Sequence, residues 1–153
     1  MGETTITIEE HIAASPEQVW ATITDTRRYA EWVVNTLEVT SADSEVADAG
    51  VRYAERNRIA GPLTGASRWV VTSVEAGRRT VHTGEGIWLA GTMRLDMTVE
   101  ADGAGTRYLH VFTYEPGLGP LGPVVDLGLR PSIARDMRRS VQALRELCER
   151  EAG

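Results

Sequence analysis

At 153 residues, 42% of them hydrophobic, the chain is long enough for one domain with a core and short for two, so a single domain over 1–153 is expected. All sixteen basic residues are arginine, which excludes the chemistries that need a lysine amine: Schiff-base aldol cleavage, lysine-bound pyridoxal chemistry and P-loop nucleotide hydrolysis. A net charge of −6 argues against sequence-independent nucleic-acid binding, which requires a basic surface.

Thr5 to Ile12 alternates with its apolar residues on even numbers, the pattern of a half-buried strand. Ser15 then fits a helix N-cap, with Pro16 at the first helical position and Gln18 at capping-box spacing. This short helix presents Val19, Trp20 and Ile23 to the core. A second short helix follows Asp25-Thr26 and carries Tyr29 and Trp32 inward, before the chain extends at Leu37. Turn signals then recur at Ala47 to Gly50, Gly61 to Gly65, Ala76-Gly77, Gly84 to Gly91 and Asp102 to Gly105. They delimit six strands near residues 37–43, 51–59, 67–75, 79–85, 92–100 and 106–115, most simply an antiparallel meander. Ser132 to about Arg150 reads as a helix with Ile133, Met137, Val141, Leu144 and Cys148 along one stripe. The connection before it, Gly117 to Val125, is apolar and rich in glycine and proline, and reads as either a lid or a plain crossover.

Other signals are weak. No run of about 18 apolar residues occurs and Met1-Gly2-Glu3-Thr4 has no basic leader, so neither a membrane span nor a secretory signal is expected and a cytoplasmic location is the default. Cys148 alone can make neither an internal disulfide nor a thiolate metal site. His11, His82 and His110 fall on three separate strands without paired spacing, and no metal site is expected. Gly117-Leu118-Gly119-Pro120-Leu121-Gly122 satisfies the dinucleotide glycine fingerprint by chance, because prolines interrupt it and no parallel strand follows.

The order strand, two short helices, six strands and a long helix resembles the START-like, or SRPBCC, superfamily, and within it the polyketide cyclase/dehydrase type. The match is carried by Ile12-Ala13-Ala14-Ser15-Pro16-Glu17-Gln18-Val19-Trp20 with Asp25, Tyr29 and Trp32, by Val74-Glu75-Ala76-Gly77-Arg78-Arg79, and by Gly119-Pro120-Leu121-Gly122 before the last helix. The resemblance implies an α+β helix-grip fold: a seven-stranded antiparallel sheet, two short helices after the first strand, and a long C-terminal helix over the concave face. It also implies a deep pocket between sheet and helix. Strand phase then gives the candidate lining. Tyr53, Glu55 and Asn57 come from one strand, Trp69, Val71 and Ser73 from the next, and Thr83 and Glu85 from the third. Met93, Leu95 and Met97 follow, then His110, Phe112 and Tyr114, with Met137 and Val141 from the helix. Each apolar member taken singly also fits ordinary core.

Glu10 occupies the even, inward phase of its strand, and the first and last strands of a helix-grip sheet are neighbours. A Glu10 carboxylate orienting the His110 imidazole would make a general base; the alternative is a histidine satisfied by a core hydrogen bond. Glu55 and Glu85 are candidate proton donors if burial raises their pKa. Aromatase/cyclase members of the family carry pocket-facing arginines on the fourth and fifth strands, and alignment through Val74 puts Ser73 and Glu85 there instead, so that charge is missing. The expected function is uptake of a hydrophobic, cyclic or polyketide-like small molecule, with cyclisation, dehydration or isomerisation achieved without a cofactor. The rival readings are a non-catalytic carrier or sensor, and a protein-interaction module with a vestigial pocket. A homodimer is left open.

Overall fold

The computed structural model describes residues 2–86 and 90–153. Strand β1 (Thr4–Ile12) leads into helix α1 (Pro16–Ile23), a 3-10 turn (Thr26–Arg28) and helix α2 (Tyr29–Trp32). Strands β2 (Thr36–Ala42), β3 (Arg52–Ala60), β4 (Leu63–Glu75), β5 (Arg79–Glu85), β6 (Ala90–Asp102) and β7 (Gly105–Pro116) follow, and helix α3 (Gly122–Ala152) closes the chain. The turn expected between Gly84 and Gly91 lies partly outside the described residues. All strands form one antiparallel sheet in the order β1-β7-β6-β5-β4-β3-β2, the helix-grip arrangement. The meander supplies every neighbour pair except β1–β7, which joins Ile12 to Thr106 and Thr4 to Tyr114.

The start of α1 is set locally. Ser15 Oγ accepts a hydrogen bond from the Gln18 amide at 3.2 Å, and Pro16 occupies a position whose amide would lack a partner anyway. Helix α3 begins ten residues before the expected Ser132, so most of the presumed Gly117–Val125 loop is a 3-10 turn and helix. Pro123 fits the first turn. Pro131 removes only a bond to the carbonyl of Leu127, a residue 70% exposed, which leaves that group to water.

Side-chain bonds fasten α3 along its length. Gln18 Nε2 donates to the Cys148 carbonyl at 3.1 Å, Ser140 Oγ accepts from the Val34 amide at 3.0 Å, and Thr4 Oγ1 donates to Asp126 at 2.7 Å. The C-terminal half of α3 packs solidly: Val141, Leu144, Leu147 and Cys148 meet Ile12, Val19, Ile23, Val99 and Tyr108 in the main core. A smaller cluster of Ile6, Met93, Phe112 and Tyr114 meets Ile133 and Met137 farther up the helix. Space remains between the two clusters.

Candidate functional site

That space is a cavity of about 180 Å³, bounded by the inward face of β3 to β7, by α2, and by α3 from Gly122 to Ser140. Its lining is mostly apolar, with Met93, Met97 and Met137 as flexible, polarisable wall residues. Strict alternation on β3 sends Tyr53, Glu55 and Asn57 to the cavity side, and all three line it. Trp69, Leu95, His110, Phe112 and Tyr114 line it as well. Trp69 lies flat beside Tyr53, with ring centroids 6.3 Å apart and planes 6° from parallel. Its indole also covers Gly84 across the β4–β5 pair, where an added Cβ would stand 2.6 Å from the ring.

Three acids line this cavity, Glu55, Asp126 and Asp136, and Glu55 is the one on the sheet. Oε2 accepts from Thr36 Oγ1 at 3.2 Å and from Asn57 Nδ2 at 3.0 Å. Asn57 Oδ1 in turn accepts from Ser67 Oγ at 2.6 Å, and Ser67 Oγ accepts from Trp69 Nε1 at 2.9 Å. Among the described residues, none bonds Oε1. Burial pushes the Glu55 pKa up, and the nearby donors of Asn57, Thr36 and Ser67 only partly oppose it. Since Thr36 and Asn57 both use Oε2, a protonated Glu55 carries its proton on Oε1.

Two histidines line the same cavity, and burial lowers both to about 4, so both rings are neutral at pH 7. His82 is held at both nitrogens, Nδ1 2.6 Å from Tyr53 Oη and Nε2 2.9 Å from Thr80 Oγ1. His110 Nδ1 lies 2.7 Å from Tyr108 Oη. The phenol has no other acceptor among the described residues, so the bond is assigned with Tyr108 donating, which puts the imidazole proton on Nε2. Next to these rings, Tyr29 Oη and Trp32 Nε1 are buried without a hydrogen-bond partner among the described residues.

Several expected site residues lie elsewhere. Glu10 does not pair with His110. Its register partner is Tyr108, while His110 stands opposite Ile8, and Glu10 Oε1 instead accepts from Arg145 Nη1 at 3.0 Å. A β-bulge between Val71 and Ser73 reverses the phase of β4, so Ser73 is exposed, and Val71 is packed in the main core beside Val141. On β5 the inward residues are Thr80, His82 and Gly84, not Thr83 and Glu85; Glu85 is exposed and paired with Arg68. The positions aligned with the family's arginines thus face away from the cavity.

Sequence reasoning passed over His82, the α2 donors as ligand contacts, and Asp126. The last lies near the start of α3 and holds it to the sheet, accepting from Thr4 Oγ1, from Tyr114 Oη, and from Arg130 Nη2 at 2.6 Å. Burial opposes its charge, but those bonds more than offset it and hold its carboxyl below the usual range. Burial, reinforced by Asp126, raises Tyr114 to about 12. Among the described residues no cluster of potential metal ligands occurs, and no helix is long and apolar enough to cross a membrane.

Three solved structures share the arrangement. The di-domain ARO/CYC StfQ from the steffimycin biosynthetic pathway superposes with a TM-score of 0.79 at 12% identity, covering 99% of this chain and 52% of that one. Protein CV1439 from Chromobacterium violaceum gives 0.73 at 18% identity over 95% and 97% of the two chains. Ara h 8.0201 gives 0.72 at 12% identity over 96% and 98%. At these identities the likeness is one of fold. A search of curated protein sequences finds no match. The family described as "Polyketide cyclase / dehydrase and lipid transport" matches residues 3–149, nearly the whole sequence. Element order, sheet topology and cavity agree with that match, and the chain belongs to the polyketide cyclase/dehydrase type of the START-like, or SRPBCC, superfamily.

Proposed function

We propose that the protein encloses a hydrophobic, cyclic or polyketide-like small molecule and promotes loss of water from it, with Glu55 as the proton donor. The observation that carries this reading is a buried carboxyl with one oxygen tied to two donors and the other unpartnered at the wall of an apolar cavity. In such an elimination the C–O bond breaks and the hydroxyl leaves as water with the Glu55 proton. The proton lost from the adjacent carbon returns to the carboxylate, so the acid is restored without a cofactor. Apolar walls exclude solvent and raise the pKa of the acid, which favours its protonated form. The open cavity speaks against an interaction module with a vestigial pocket. The carrier reading draws on a different observation: both histidines are neutral and neither is held by a carboxylate as a base.

A β-hydroxy ketone on a bicyclic skeleton separates the two readings, because its dehydration yields a fluorescent naphthol. The wild-type protein is expected to form naphthol, and Glu55→Gln to slow it by about a hundredfold or more while still binding the ketone. Equal rates for the two proteins, or binding with no turnover in either, would make it a carrier.

A further inference from the structure

We infer that Tyr29 Oη and Trp32 Nε1, on one face of α2, form a two-donor seat for an uncharged acceptor oxygen of the ligand, a ketone, quinone or ether oxygen. This deepens the ligand-binding reading above and rests on it.

Buried polar groups nearly always have partners, because leaving one unmade forfeits its solvation. Here two donors lack them among the described residues, three residues apart on one helix: Tyr29 is 3% and Trp32 1% exposed, and both line the cavity. Spacing of three turns both side chains toward the sheet, and their rings meet edge to face with centroids 6.4 Å apart. An indole N–H can only donate. The phenol of Tyr29 has no acceptor in reach among the described residues, and its own pKa is pushed up by burial and by nearby Glu55, so it too remains a donor. The His110 ring lies beside Trp32, with centroids 6.2 Å apart.

The charge around the seat selects among oxygen ligands. A carboxylate would meet Glu55 and no nearby cation: among the described lining residues Arg58 is the one guanidinium, and its side chain is exposed. A carbonyl or ether oxygen satisfies both donors and adds no charge.

The test compares three probes on one skeleton, tetralin, α-tetralone and tetralin carboxylate, by calorimetric titration and by the Trp32 indole N–H signal, assigned through its loss in Trp32→Phe. α-Tetralone is expected to bind about tenfold more tightly than tetralin, as one added hydrogen bond implies, and to move the indole proton downfield. Tyr29→Phe is expected to remove most of that tenfold preference and leave tetralin affinity within about twofold. Should Trp32→Phe not fold, the signal is assigned by sequential backbone correlation and Tyr29→Phe carries the comparison. Equal affinity for tetralin and α-tetralone with an unmoved indole proton overturns the seat and leaves the cavity reading standing, water alone then satisfying the donors. Tightest binding of the carboxylate overturns the choice of an uncharged ligand. Failure of all three probes to bind removes the cavity reading and the seat with it.

Discussion

Glu55, His82 and His110 share one low-dielectric cavity and answer pH in opposite senses. Burial keeps each imidazole neutral down to about pH 4, whereas an unfolded chain protonates its histidines near their ordinary value of 6.5. Between those values the unfolded state binds more protons, so the stability the two rings contribute is complete above about pH 6.5 and drains away as pH falls toward about 4. Glu55 runs the other way, because its raised pKa makes its contribution largest in acid and diminishes it as pH rises above 4.5. Urea unfolding at pH 7 and 4.5 reads the balance. The wild-type protein is expected to lose about 2–3 kcal/mol per ring on acidification, reduced by the opposing Glu55 response. His110→Gln is expected to shrink that loss by one ring's share, and an unchanged loss would show that His110 does not titrate as described. At this scale the sequence was partly legible. Tyr53, Glu55 and Asn57 follow strict alternation, so their common side could be read directly. His82 could not, because Val81 on the opposite face of β5 is buried too, and burial there no longer alternates with the chain.

Elements are held in place by few residues, and α3 illustrates it. Its C-terminal half is fixed by apolar packing, but its first turns rest on Asp126, with Leu121, Val124 and Leu127 exposed on the outer side. Asp126→Asn removes the charge that Arg130 and Tyr114 meet. Amide exchange over residues 122–131 is expected to speed up by an opening free energy of about 1–3 kcal/mol, with Val141 to Cys148 unaffected. Uniform exchange changes along the whole helix would contradict this division. The early start of α3 was illegible for a physical reason. Three prolines and four glycines from residue 117 to residue 131 score against a helix locally, and the bonds that stabilise this end come from Thr4, 122 residues away, and from Tyr114. The start of α1, by contrast, depends on Ser15 and Pro16 and was read directly, although the Gln18 side chain closes no capping box and donates to the Cys148 carbonyl instead. The bulge at Val71/Ser73 lies between these cases: one extra residue shifts every later side chain on β4, and no residue type announces it.

For the molecule as a whole, a cavity beneath α3 means that the sheet and helix are incompletely packed without a ligand, and occupancy should register as stability. An apolar probe that binds only the folded state, at a hundred times its Kd, adds about 2.7 kcal/mol. For a chain of this size that corresponds to a rise in Tm of roughly 5–10 °C, measurable by thermal scanning with tetralin. A flat response across a series of bicyclic hydrocarbons would mean that the cavity does not admit them. Fold class was the most legible property, since element order and turn spacing carry it over nearly the whole length. The cavity's chemistry was less so, because it depends on which donors remain unpartnered after the chain has closed.

The pairing of β1 with β7 also bears on the time course of biosynthesis. Ile12 finds Thr106, and Thr4 finds Tyr114, so β1 leaves the ribosome about a hundred residues ahead of the strand that covers its edge. At about 5–20 residues per second, that interval is roughly five to twenty seconds. Throughout it the apolar row Ile6, Ile8 and Ile12 has no sheet to join, while the hairpins of β2 to β6 can form as they emerge. The segment that begins the sheet is therefore its last strand to be seated, and chaperones that recognise short apolar stretches have their clearest opportunity there.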